Sequence, residues 1–488
     1  MLLTINKKSK VKLYEQIFGQ IAELIDNGTL GAGTRLPSTR ELSKTTGVNR
    51  TTIIRVYEEL GARGYIESSP GTYTTVRKKQ SVIPLHDTEN QNIQSGQDIY
   101  QDQHDLNYDV MMYYLENGKS MEAGKINFLQ LSPDTRLLDR RYIRASMRQV
   151  LNETQTNPFD FTHARGYEPL RQEIAKQMKL HNVFVRDENI LVSNGSLQSL
   201  QLIFQEFSKP GDYIVVEDPT YSILLLIARI FKLRVIGVPV THEGMDLNIL
   251  ENVLSEKPVR FIYIMPTYQN PTGISMPQYK REKFVQLCEE RKCIIIEDSI
   301  EEEFKYSGKA YLPIKSIDRR GQIIYLGTYT KVMAPGLRIG WIIGTPECIK
   351  KLTVIKSIFE ISSGTLNQMF LYNFLINGAF DLHLRKSVRI FKKRMSVAVA
   401  AIKKYVPAGK IEWTEPNGGY MLWIKLLTKP MKNIEKHFSD HGVVVHNGQY
   451  FFVNEPTDNY IRICIAQTNE TEIEEGIRKI GEAVNVLE

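Results

Sequence analysis

Apolar residues change their spacing twice along the 488-residue chain. Over Leu13–Asn27 they recur at Leu13, Ile17, Ile21, Leu24 and Ile25, the three- and four-residue steps of a helix with one buried stripe. Gly28, Gly31 and Gly33 break the pattern, and Pro37 and Ser38 open a second, shorter helix in "STRELSKTT". Gly47 supplies a turn, and a third helix capped by Asn49 runs to about Arg63. On it Ile53, Val56, Tyr57 and Leu60 face inward, while Arg50, Thr51 and Arg55 fall on other faces. "GYIESSPGTYTTV" then predicts a hairpin with Pro70 and Gly71 at its tip.

Residues 80–107 are rich in Gln, Asp and Asn with few apolar side chains, which predicts a linker. The stretch from Tyr108 to Gly124 also fits a helix, "YDVMMYYLENG". Beyond it, near-continuous apolar runs alternate with helical ones: "ILVSN", "YIVVE", "VIGVPV", "FIYIMP", "IIIED", "IIYLGT" and "IGWIIG". Strands buried on both faces and separated by helices predict a mostly parallel α/β sheet. The last hundred or so residues, from "SVRIFKKRMSVAVAAIKKYV" through "GGYMLWIKL" to "YIRICIAQ", mix both periods and predict a smaller α+β lobe. The expected division is 1–79, a linker at 80–124, and 125–488.

Composition adds exclusions. With 42% hydrophobic and 24% charged residues the chain has a globular make-up, and no apolar run reaches the roughly 18 residues of a membrane span. "MLLTINKKSKVKLYEQ" lacks the apolar core of a secretory leader. Cys288, Cys293, Cys348 and Cys464 show no paired ligand spacing, which predicts reduced thiols, no metal centre and a cytoplasmic location. Charge is unevenly spread. Residues 1–79 carry 13 basic and 7 acidic side chains, a net +6, and residues 80–124 carry one basic and 8 acidic, a net −7. The basic density at the N-terminal end suits a polyanion.

Two helices joined by a glycine turn, with a hairpin behind them, make a winged helix-turn-helix. Its second helix would enter the major groove of double-stranded DNA, with Arg50 on guanine and Thr51 and Thr52 on bases or phosphates. Arg40 would meet backbone or base, Ser38 a phosphate at its helix N-terminus, and Gly71 would let the wing approach the minor groove. The ordinary alternative is a three-helix protein-contact module. The stretch "LPSTRELSKTTGVNRTTIIRVYEELGARGYIESSPGTY" resembles the winged helix of GntR-type bacterial repressors, and the resemblance implies DNA contacts at Arg40, Arg50 and Thr52.

The second constellation lies at predicted strand ends. Pyridoxal phosphate needs an amine, an acid for its ring nitrogen, a flat group on its ring and an anion cradle. In "GTYTKVMAPGLRIGW", Lys331 follows a strand and supplies the amine, while Thr328 and Arg338 offer phosphate donors. Asp298 ends "IIIED", where it would pair with the ring nitrogen. Gly195 and Ser196 lie between a strand and a helix, where backbone N–H groups hold phosphate. Asn270 in "QNPTG" would reach the ring hydroxyl and Tyr221 in "DPTYS" would stack on the ring. Each residue alone has a plain explanation as surface charge, helix cap, turn or core, but their order along the chain does not.

Residues 125–488 resemble fold-type I aminotransferases of class I, and the resemblance implies that Arg462 grips a substrate α-carboxylate. Winged helix, linker and aminotransferase-like domain together resemble the MocR/GabR regulators. That implies a PLP-dependent transcriptional regulator, a homodimer with each winged helix over the partner's large domain, operator DNA, and an amino acid, amine or PLP itself as effector. Two residues depart from the enzyme pattern. Ile300 stands where the family has a tyrosine that hydrogen-bonds the cofactor's ring oxygen, and Phe161 stands where a tyrosine reaches the phosphate of the partner subunit. Loss of such bonds predicts weak or absent transamination. A working aminotransferase that regulates its own gene, and a cofactor-free dimerising domain, remain the competing readings.

Overall fold

The computed structural model describes residues 3–68, 73–77, 124–299, 302–431 and 433–487; Gly71, Ile300 and nearly all of the acidic segment lie outside the described residues. The chain divides into two compact units on either side of residues 103 and 104.

In the smaller unit, helices α1 (Leu13–Asp26), α2 (Thr39–Thr46) and α3 (Arg50–Ala62) precede a two-stranded antiparallel wing of β1 (Ile66–Glu67) and β2 (Thr75–Val76). The stripes read from the sequence meet here: Ile17, Ile21, Leu42, Val48, Ile53, Val56 and Leu60 form one core. Ser38 caps α2 in a reciprocal capping box with Glu41, and Gly47 ends it with φ of 63°. That left-handed turn sets α3 across α2 at little steric cost. Tyr57 on α3 donates to the Pro37 carbonyl at 2.7 Å, tying α3 to the entry of α2.

Among the described residues the first element of the larger unit is β3 (Ile126–Asn127), and the unit is built on an eight-stranded sheet. Its strands are β4 (Ile190–Ser193), β5 (Tyr213–Asp218), β6 (Arg234–Thr241), β7 (Gly244–Met245), β8 (Val259–Ile264), β9 (Ile294–Ser299), β10 (Ile323–Thr328) and β11 (Gly340–Ile343). The spatial order is β4-β11-β10-β9-β8-β5-β6-β7. All seven expected strands are present. Six run parallel to one another, β11 runs antiparallel between β10 and β4, and β7 is a short antiparallel edge to β6. The reversal at β11 has a length cause. Residues 329–339 are too few for a helical crossover, which takes a dozen or more residues, so the chain turns straight back. The lobe carries β12 (Ile411–Trp413), β13 (Met421–Leu426), β14 (Val443–Val444), β15 (His446–Asn447) and β16 (Asn459–Cys464). Its antiparallel sheet runs β12-β13-β16-β15, while β14 pairs in parallel with β3. Among the described residues no helix is long and apolar enough to cross a membrane.

Candidate functional site

In the smaller unit, Arg40 is exposed in the first turn of α2, and at the start of α3 Arg50 and Thr51 are exposed and Thr52 is half-buried. Asn49 accepts from the Thr51 N–H at 3.2 Å and from the Thr51 hydroxyl at 3.1 Å, which fixes the first turn of α3. Arg55 lies 4.3 Å over the Tyr14 ring, so packing on α1 holds it. Ser38 is the N-cap of α2. Its hydroxyl accepts from the Glu41 N–H at 3.2 Å and its own N–H donates to the Glu41 carboxylate at 2.8 Å. Ser38 itself is therefore engaged within the helix cap.

In the larger unit the candidate residues follow the spatial order of the strands, at their carboxyl ends, where open α/β sheets bind ligands. Gly195 and Ser196 follow β4, Arg338 precedes the antiparallel β11, and Thr328 and Lys331 lie at the end of β10. Asp298 lies on β9, Asn270 beyond β8 and Tyr221 just beyond β5. Residues up to 143 positions apart in sequence thus stand side by side because chain order and strand order differ.

The anion end of this row is glycine-lined for a geometric reason. A Cβ on Gly340 would lie 2.9 Å from Gly195 Cα, and one on Gly195 would lie 2.8 Å from Arg338 Nη2. Arg338 sits in the left-handed region at φ of 52° and donates from Nη2 to the Asn194 carbonyl at 2.7 Å. Ser196 opens the helix Ser196–Phe207, so its N–H belongs to the unsatisfied first turn. The Thr328 hydroxyl accepts from the Thr330 N–H at 3.0 Å and donates to the Ile339 carbonyl at 3.2 Å.

At the acid end, Asp298 is 1% exposed. Tyr263 on β8 donates to its Oδ2 at 2.7 Å, while Oδ1 is buried with no hydrogen-bond partner. Burial pushes the Asp298 carboxyl up to about 6, against the Tyr263 hydrogen bond and the Lys331 charge, which pull it down. Asn270 is wholly buried and its Nδ2 is also unpartnered. Tyr263 was not among the expected site residues. In "FIYIMP" it reads as one more apolar strand position, and only the β8–β9 pairing brings its hydroxyl to the carboxylate.

The lobe completes the site. Arg462 on β16 is 2% exposed and faces no carboxylate within ion-pair distance among the described residues. Its Nη2 donates to the Leu129 carbonyl at 2.7 Å, its Nη1 lies 3.5 Å from Asn270 Oδ1, and its Nε is unpartnered. Lys331 Nζ donates to the Leu131 carbonyl at 2.5 Å. Residues 128–131, directly after β3, therefore pass over the site and place backbone carbonyls on both cations. Sequence patterning held no sign of this strap, because backbone carbonyls carry no sequence signature.

Fold and site together define the class. Residues 134–480 match aminotransferase class I and II, and residues 13–76 match the bacterial regulatory proteins of the gntR family. The chain belongs to the aminotransferase class I and II family, carrying a GntR helix-turn-helix domain in the same polypeptide, a MocR/GabR-like architecture. Aromatic-amino-acid aminotransferase 1 of Thermococcus litoralis is 33% identical over 347 residues, covering 69% of this chain and 82% of the relative. The uncharacterized HTH-type transcriptional regulator YdfD of Bacillus subtilis is 28% identical over 495 residues, covering 99% of this chain and 98% of its own. Among solved structures, Pyrococcus horikoshii kynurenine aminotransferase in complex with PMP matches with a TM-score of 0.74 at 28% identity, covering 80% of this chain and 96% of that one.

These comparisons indicate pyridoxal phosphate as the cofactor. The residues present fit it. A buried carboxylate oxygen and a buried amide N–H without partners, and a glycine-lined loop that any Cβ would fill, are the features a protonated ring nitrogen, a ring oxygen and a phosphate require.

Proposed function

We propose that the chain is a DNA-binding transcriptional regulator of the cytoplasm that senses an amino acid, an amine or PLP itself through Lys331. Residues 1–79 form the winged helix, 80–124 the linker and 125–488 the effector domain. The observation that carries this reading is the presence, in one polypeptide, of an exposed Arg50–Thr51 helix start and a buried cofactor constellation around Asp298.

When bound, PLP supplies an aldehyde carbon for an amine and a ring that accepts electron density. The chain's residues bind and orient it. Lys331 presents the amine, Asp298 accepts a proton-bearing ring nitrogen, Asn270 donates to the ring oxygen, and Tyr221 covers a ring face. Gly195, Ser196, Thr328 and Arg338 hold the phosphate. Arg462, buried without an acidic partner, grips an effector carboxylate, which competes with the Leu129 carbonyl for Nη2. That exchange would disturb residues 126–131, which are continuous with the segment leading to the winged helix, and a ligand shifts a conformation only by such differential contacts.

The partners follow: double-stranded operator DNA read by Arg40, Arg50, Thr51 and Thr52, and a second copy of the chain. Support for a homodimer comes from exposed apolar residues gathered near the cofactor loop. Phe159, Phe161, Ile358, Phe359 and Ile361 are 61–77% exposed. The loop and helix ends that carry them are joined by hydrogen bonds from Thr365 to the Asp160 carbonyl at 2.7 Å and from the Thr162 N–H to Ser362 at 3.3 Å. Such a patch is larger than isolated surface residues explain. The domain-swapped arrangement is part of the same proposal.

The test screens amino acids and amines for those that change both the visible absorption of the PLP-loaded protein and its operator affinity. A compound that moves both supports the sensor. If none moves DNA binding while several turn over with an oxo acid, the second reading, an aminotransferase with an autoregulatory winged helix, replaces it. That reading is favoured by the completeness of the Lys331, Asp298 and Arg462 set.

A further inference from the structure

Glu360, just past the helix Pro346–Phe359, touches none of the residues that would contact the cofactor directly, yet it closes a hydrogen-bond ring around the loop that carries them. Asn194 Nδ2 donates to Glu360 Oε1 at 2.9 Å, and Gln198 Nε2 donates to Glu360 Oε2 at 2.5 Å. The Asn194 backbone N–H donates to Gln198 Oε1 at 2.8 Å, which completes the ring. Asn194 immediately precedes Gly195, and its carbonyl is the acceptor that holds Arg338 Nη2 at 2.7 Å. One carboxylate therefore fixes the side chain, the N–H and, through the residue's orientation, the carbonyl of Asn194. One turn earlier on the same helix, the fully buried Lys356 donates to the Ala164 carbonyl at 2.7 Å. Despite partial burial, the Gln198 hydrogen bond and the Lys356 charge hold the Glu360 carboxyl below its ordinary range, so it is ionised at neutral pH.

We propose that Glu360 is a positioning residue for the phosphate cradle. Its two acceptor oxygens hold Asn194 and Gln198 so that the Gly195 and Ser196 N–H groups and Arg338 converge on one phosphate, which lets the chain distinguish PLP from unphosphorylated pyridoxal. Two acceptors are essential to this role, because both neighbours present N–H donors to Glu360. A glutamine side chain of the same size offers one acceptor and one donor group, so the ring cannot close with both amides in their present orientations.

The proposal rests on the PLP-binding reading and is tested on the full chain by titrating PLP and pyridoxal against native protein and the Glu360→Gln variant. Binding is followed by quenching of tryptophan fluorescence. Positioning and simple electrostatics predict opposite signs. Removing a negative charge near a bound phosphate should tighten PLP binding, whereas opening the ring should weaken it. The expected result is at least a tenfold loss of PLP affinity in the variant with pyridoxal affinity and thermal midpoint unchanged. Gln198→Ala should reproduce the loss, and the double variant should lose no more than either single one, as residues of one network do. Unchanged or tighter PLP binding, or equal weakening toward both aldehydes, overturns the role of Glu360 and leaves the cofactor reading standing. Native protein that binds neither aldehyde overturns both.

Discussion

Asp298→Asn separates what the site requires from what the fold prefers. Asp298 is buried with one oxygen on Tyr263 and the other unpartnered. Burial lifts its pKa from 3.8 to about 6. A carboxyl whose folded pKa exceeds its unfolded one loses stability as pH rises between the two values. The penalty is absent below the unfolded pKa, grows up to pH 6 and then stays constant at roughly 3 kcal/mol. Asparagine has nearly the same shape, keeps an acceptor for Tyr263 and carries no charge. The cofactor-free variant should therefore be more stable than the native protein by up to about 3 kcal/mol at pH 8, with about half of that gain left at pH 5. Lost attraction to Lys331 is already contained in the shifted value. PLP affinity should move the other way and fall at least tenfold, because an amide cannot neutralise a protonated ring nitrogen. Urea unfolding followed by tryptophan fluorescence measures the first effect, since all three tryptophans, Trp341, Trp413 and Trp423, belong to the larger unit. A variant that is less stable at pH 8 and still binds PLP like the native protein would refute the reasoning, showing Asp298 to be a structural acid.

Three further outcomes are expected. Arg462→Met should remove the spectral response to amino acids by roughly ten- to a hundredfold in affinity, as for a lost charge-assisted hydrogen bond, while amines without a carboxylate respond as before; absorption titration reads both. Gly340→Ala places a Cβ 2.9 Å from Gly195 Cα and 3.1 Å from its carbonyl carbon, so the phosphate loop must shift and PLP affinity should drop more than pyridoxal affinity in equilibrium titrations. Arg50→Ala should weaken specific operator binding by about 1–3 kcal/mol and relax base preference at one position; a gel-shift series in which all sequences weaken equally would assign Arg50 to phosphate.

Much of this architecture was legible in the chain. The seven apolar runs became seven strands because residues buried on both faces of a sheet leave an unmistakable pattern, and the glycine at 47 and the asparagine at 49 marked the helix-turn-helix because their backbone roles restrict residue choice. Less visible were groups defined by a partner distant in sequence. Tyr263 gains its role from Asp298, 35 positions later, and Glu360 from Asn194, 166 positions earlier. Ser38 reads as a phosphate contact from its place at a helix N-terminus, and the glutamate three residues on, a capping-box signature present in the sequence, pairs with it in the folded helix.

By itself the sequence determined which chemical groups the protein owns and which local elements carry them, since helix stripes, strand runs, turns and caps are set by residues a few positions apart. Tertiary structure decided which groups meet. The crossovers of the sheet brought the ends of β4, β10, β9, β8 and β5 into one row, left Asp298 Oδ1 and Asn270 Nδ2 buried without partners, and laid the Leu129 and Leu131 carbonyls on the two cations. Those contacts span up to 333 positions of sequence, and burial and hydrogen bonding over that distance exist only once the chain has folded.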